Sequence, residues 1–159
     1  MAKAGYWVGT SAAVALSAAT AKTALMVITP SSFGIDLKKF KVSFDGVTSS
    51  AVPVLVELVT STNATNSTPG TNNTTESSNI VQLYGRSITT GFTAFSASTS
   101  EPTVLTVIER FMLTPVGGTI FYDFPLGDTP DGAVSAGMGL RLTAPATVNA
   151  RASMTFERC

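Results

Sequence analysis

The side chains that could do chemistry in this chain are few. It has no histidine and a single cysteine, Cys159, which excludes Cys/His zinc sites, internal disulfides and thiol–imidazole dyads together. Serines are plentiful, yet none sits in Gly-x-Ser-x-Gly or Ser-x-x-Lys, so no activated hydroxyl is indicated. Three acids, Asp123, Asp128 and Asp131, cluster in DFPLGDTPDG. They offer the oxygens that calcium prefers, but their spacing departs from the Asp-x-Asp-x-Asp-Gly loop, and Pro130 and Gly132 read as turn chemistry. The sequence therefore predicts no enzyme, no metal and no cofactor.

Two other features invite a function. Glu109-Arg110 interrupts the apolar run Val104–Leu113 and presents opposite charges to opposite faces of a strand. Such charges need partners if the strand is buried, as at a subunit interface, and need none at a sheet edge. The tract STNATNSTPGTNNTTESSN, Ser61 to Asn79, has fifteen Ser, Thr or Asn among its nineteen residues and overlapping Asn-x-Ser/Thr triplets at Asn63, Asn66, Asn72 and Asn73. These triplets mean glycosylation only in a secreted eukaryotic chain. Lys3 with the stretch Ser11–Ala21 faintly resembles a signal peptide, but Gly9, Thr10, Ser11 and Ser17 dilute the apolar run, so the expectation is no export. The tract then reads as a long loop held by neighbours in an assembly, with Asn66, Asn72 and Asn73 as interface candidates.

The elements that must carry these residues are strands. Val148, Ala150, Ala152, Met154 and Phe156 alternate with polar residues, and so do Met138, Leu140 and Leu142, and Phe40, Val42 and Phe44. The break Ala144-Pro145-Ala146 predicts that the last two strands pair as a hairpin. Lys39 and Lys41 fall on the solvent face of theirs. Four runs, Leu25–Ile28, Val52–Val59, Val104–Leu113 and Ile120–Phe124, are apolar on both faces and fit strands buried between layers or against another subunit. Pro53 marks an edge or a strand's first residue. Residues 12–24 are alanine-rich, which allows one short helix.

About eight strands with many turns predict an all-β, two-sheet antiparallel sandwich of the jelly-roll type. Residues 1–11 form an arm or first strand, and 12–159 form one domain carrying the polar loop 61–79. In the arm, Tyr6 and Trp7 are the candidate aromatic anchors for an interface, the alternative being that they cap the sandwich core. Ten basic and ten acidic residues balance, leaving no electrostatic footprint for nucleic acid. No run reaches the roughly eighteen apolar residues of a membrane span.

The segments LKKFKVSFDGVTSSAVPVLVEL (Leu37–Leu58), GGTIFYDFPLGD (Gly117–Asp128) and LRLTAPATVNARASMTFER (Leu140–Arg158) together resemble the small decoration, or cement, proteins encoded beside the major capsid gene of tailed bacteriophages. The resemblance runs from about residue 12 onward and rests on texture, with no diagnostic motif. It implies a jelly roll that assembles as a homotrimer, binds the major capsid protein on the outside of an icosahedral head and reinforces the shell. It also implies synthesis in a bacterial cytoplasm, and it transfers no functional residue. The rival expectation is a host- or glycan-binding sandwich of the virion surface or tail, with Phe92 and Phe95 as the stacking aromatics near its loops.

Overall fold

A computed structural model describes residues 3–45, 52–61, 74–89, 91–102, 104–116 and 118–159. The strands are β1 (Gly5–Gly9), β2 (Val14–Leu16), β3 (Ala21–Ile28), β4 (Ile35–Phe44), β5 (Val54–Ser61), β6 (Thr74–Thr75), β7 (Val81–Tyr84), β8 (Thr93–Ser96), β9 (Leu105–Leu113), β10 (Thr119–Asp123), β11 (Asp131–Gly132), β12 (Gly137–Thr143) and β13 (Val148–Arg158). Eight of these have five or more residues. The rest are short additions at the margins.

Two antiparallel sheets face each other. One runs β10-β4-β13-β1-β7, with β11 on β4 and β2 on β13; the other runs β6-β8-β3-β12-β5-β9. The chain crosses between sheets at each of the steps β2–β3, β3–β4 and β4–β5, again at β6–β7, β7–β8 and β9–β10, and finally at β11–β12 and β12–β13. Period-two alternation sets the core: Val148, Ala150, Met154 and Phe156 point inward from β13, and Met138, Leu140 and Leu142 from β12, all at most 2% exposed.

β12 and β13 are not the expected hairpin: they lie in opposite sheets and carry their apolar residues to the same interior from its two sides. Each already has two long neighbours, β3 and β5 for β12, and β4 and β1 for β13. The Ala144–Ala146 break is the crossing between sheets. The short helix allowed over 12–24 is also absent. Val14 and Leu16 point inward while Ala15 is exposed, which is strand alternation, and β2 pairs with β13 through Leu16 and Val148. Ala19 then turns the chain at φ 56, its N–H donating to the Ala144 carbonyl at 2.7 Å. Burial of Val14, Leu16 and the Ala24–Val27 run outweighs alanine's preference for helix, which is worth only a few tenths of a kcal/mol per residue, of order ~0.5.

Pro53 lies just before the first residue of β5, where its missing N–H disturbs no ladder bond. β5 itself is internal, between β12 and β9.

Candidate functional site

Two of the four doubly apolar runs are central, as β3 and β5, whereas the other two are sheet edges. β9 ends the six-stranded sheet and β10 ends the seven-stranded one. Both lie on one flank of the sandwich, because the Phe111 ring of β9 stacks on Phe40 of β4 with centroids 5.8 Å apart, and β4 is the neighbour of β10. Tyr122 stacks on the same Phe40 ring at 5.4 Å, and Phe124 closes on Tyr122 at 4.8 Å. Phe111, Leu113, Ile120 and Phe124 are only half-buried against the core. Ile108 and Met112 project from β9 at 40% and 60% exposure. The flank thus combines two strand edges without a neighbouring strand among the described residues and an apolar seam between them, the surface that sandwiches ordinarily cover or charge.

Glu109 and Arg110 sit on this edge, and their charges part company. Arg110 Nε donates to Glu57 Oε1 on β5 at 2.8 Å, while Arg141 of β12 reaches Glu57 Oε2 from the other side at 2.6 Å. The three residues form one cross-strand row, Arg141–Glu57–Arg110. Glu57 is 3% exposed. Its burial raises the carboxyl, but the hydrogen bonds and charges of Arg110 and Arg141 outweigh that and leave it below the usual range. Glu109 is exposed, and its carboxylate accepts from the Arg110 backbone N–H at 3.2 Å.

The paired anchors Tyr6 and Trp7 also separate. Tyr6, expected with Trp7 at an interface, points into the core at 2% exposure, between Phe92 and Phe156. Trp7 faces out. β1 is an internal strand between β13 and β7 rather than a free arm. Phe92 and Phe95 are buried, at 5% and 3%, and offer no stacking face to a ligand. Asn66, Asn72 and Asn73 lie outside the described residues.

The acids of the DFPLGDTPDG segment are spread out. Asp123 ends β10, Asp131 pairs with Asp36 in β11, and Asp128 donates its N–H to the Pro125 carbonyl in a turn. Among the described residues no group of three or more His, Cys, Asp or Glu could hold a metal. Burial, aided by Asp131 and Asp36, pushes the Cys159 thiol up, so it is a poor nucleophile at neutral pH.

The structure also shows carboxylates whose roles sequence reasoning missed. Glu76, fully buried, accepts from the Ser11 N–H at 2.9 Å, Ser11 Oγ at 3.0 Å, Ser96 Oγ at 2.6 Å and Asn79 Nδ2 at 2.6 Å. Burial raises its carboxyl, and these four donors more than reverse the effect. One side chain thereby ties the C-terminal end of the polar tract to the end of β1 and to β8. The available signal was that Glu76 is the sole charged residue from Ser61 to Asn79. Glu101 does similar work on β3, accepting from the Thr23 N–H at 2.6 Å and Thr23 Oγ1 at 2.7 Å. This is where the register of β3 against β12 slips by a residue.

No helix of the described residues is long and apolar enough to cross a membrane. No protein-family model, curated protein or solved structure matches the chain.

Proposed function

We propose that this protein is a structural component of a virion, a decoration protein that assembles as a homotrimer on the outer surface of an icosahedral phage head, contacts the major capsid protein and stabilises the shell. The observation that supports self-association is the β9/β10 flank. β9 alone presents nine residues of edge, about 30 Å at roughly 3.4 Å per residue, beside an apolar seam. A neighbouring copy would satisfy both. The head as the place of assembly is supported by the three segments that resemble cement proteins. Among the described residues no catalytic constellation competes with this reading, since the buried carboxylates of Glu57, Glu76 and Glu157 are held in fixed hydrogen bonds.

Reinforcement of this kind works by multivalency. A trimer touching several capsomers forms its second and third contacts at high effective concentration, so each subunit needs only a modest contact patch. The test is co-sedimentation of the purified chain, and of Met112→Lys, with expanded heads that lack the protein. Met112 is 60% exposed, so the charge disturbs the flank without disturbing the core. The reading predicts saturable binding by the parent and a monomeric, weakly binding variant. A folded Met112→Lys monomer that saturates heads at the same concentration would overturn it.

A further inference from the structure

The outer face of the seven-stranded sheet carries a second, independent feature. Outward residues of β1 are Gly5, Trp7 and Gly9, and the glycine at 9 decides how the indole lies. A Cβ on Gly9 would sit 2.6 Å from Trp7 Cζ2 and 2.8 Å from Cη2. The ring therefore leans along the strand over the space that a side chain at 9 would fill. Trp7 is 38% exposed in that position.

The neighbouring strands extend this platform in register. Trp7 lies beside Thr155 of β13 and then Lys39 of β4; Gly9 lies beside Ser153, then Lys41, then Phe121 of β10. Small hydroxylated residues thus floor a groove with an indole at one side and a phenyl ring at the other. Three strand spacings separate β1 from β10, about 14 Å at roughly 4.8 Å each. Phe121 is 56% exposed, and the Lys39 ammonium lies 5.2 Å from its ring centroid. The groove comprises two contiguous depressions of about 310 and 250 Å³ that share Trp7, Lys41 and Ser153. That places each near the lower end of the range for small-molecule sites, about 300–1,000 Å³.

Charge and backbone narrow the occupant. Lys39, Lys41 and Arg151 line the groove, and among the described residues no acid does. Asp123 stands outside it on the rim beside Lys39. Neither Lys39 nor Lys41 makes a salt bridge among the described residues. β1, β13 and β4 are all internal strands whose backbones are used up by their neighbours, so an extended peptide could gain no main-chain hydrogen bonds here. What remains on offer is a flat aromatic face, hydroxyls and ammonium groups.

We propose that this groove binds an acidic glycan, with one sugar ring stacked on Trp7, its carboxylates meeting Lys39 and Lys41, and its hydroxyls meeting Ser153 and Thr155. The site belongs to the single chain and does not depend on head attachment or trimer formation.

Trp7 is the sole tryptophan, so its fluorescence reports the groove directly. The full-length protein is titrated with oligomers of galacturonate, alginate and hyaluronate, each alongside its carboxyl-methylated form. The expected result is a saturable change in Trp7 emission with at least one acidic oligomer, weakened tenfold or more by methylation and by Lys41→Glu, with thermal unfolding unchanged in that variant. Calorimetry on Trp7→Ala should show a loss of the same order. Silence across all three acidic glycans would overturn the proposal. So would equal binding of the methylated forms, undiminished binding by Trp7→Ala, or equal binding of polyglutamate or oligothymidylate, which would mark unspecific attraction of polyanions.

Discussion

Replacing Glu157 by Gln should remove a large part of this protein's stability at neutral pH and almost none in strong acid. Glu157 lies near the end of β13 at 9% exposure. Its carboxylate accepts from Tyr84 Oη at 2.6 Å and pairs with Lys3 Nζ at 3.0 Å and Lys38 Nζ at 3.2 Å. Burial alone would raise its pKa, but these donors and the Lys38 charge bring it from 4.5 down to about 2. The same contact appears on the phenol, where burial and the anionic partner push Tyr84 up to about 12; being one interaction, it is counted once. A gap from 4.5 to about 2, at about 1.36 kcal/mol per pH unit, corresponds to on the order of 3 kcal/mol. Because the folded value is depressed, that stabilisation is complete above the unfolded value of 4.5 and is lost as pH falls toward 2. Lys3 adds little, its side chain being 62% exposed. Lys38 keeps a partner in the variant, Asp36 at 2.6 Å. Urea unfolding of parent and Glu157→Gln at matched protein concentration, near pH 7 and again near pH 2, gives the comparison. A gap of about 3 kcal/mol that closes in acid is expected. A gap below about 0.5 kcal/mol near pH 7, or one of constant size across the range, would refute the linkage argument.

Further substitutions separate the other roles. Glu57→Ala strands the Arg141 guanidinium on a row where its side chain is only 21% exposed, and should cost about 3 kcal/mol in urea unfolding. Arg110→Ala removes the 63% exposed partner of the same carboxylate and should cost under about 1 kcal/mol; equal costs would mean that the row does not work as described. Glu76→Ala leaves the Ser11 N–H, Ser96 and Asn79 without their shared acceptor, and a loss of about 2–4 kcal/mol is expected from charged hydrogen bonds of this kind. Gly9→Val should displace the indole from its resting place, read as a shift of Trp7 emission to longer wavelength with a smaller change in unfolding temperature.

The strands were legible because burial here follows period two so closely: β13 can be read directly from Val148, Ala150, Ala152, Met154 and Phe156. Its partner was not legible. Alternation tells which side of a strand faces the core, but two strands facing the same core can be neighbours in one sheet or opposites in two, and Ala144-Pro145-Ala146 permits either. The runs Val104–Leu113 and Ile120–Phe124 left their place open for another reason, since apolar residues on both faces suit a central strand and equally an edge that a partner covers. Residues 12–24 show composition overruled by position. Their alanines favour helix, but Val14 and Leu16 sit two apart and both reach the core. The partners of the carboxylate hooks were invisible, although Glu76 stands out as the sole charge of its tract, because nothing local to Glu57, Glu76 or Glu101 names them: Glu57 meets Arg141 only through the strand order β12-β5-β9. The outer-face groove has the same origin. Trp7, Lys41 and Phe121 are far apart in sequence and become neighbours only by register.

The most direct test of the central claim is electron cryomicroscopy of heads assembled without this protein and then incubated with it. Density for many symmetric copies is expected on the outer surface, grouped as trimers where capsomers meet, with the β9/β10 flank between subunits. Bare heads, or a few copies confined to the tail, would contradict it.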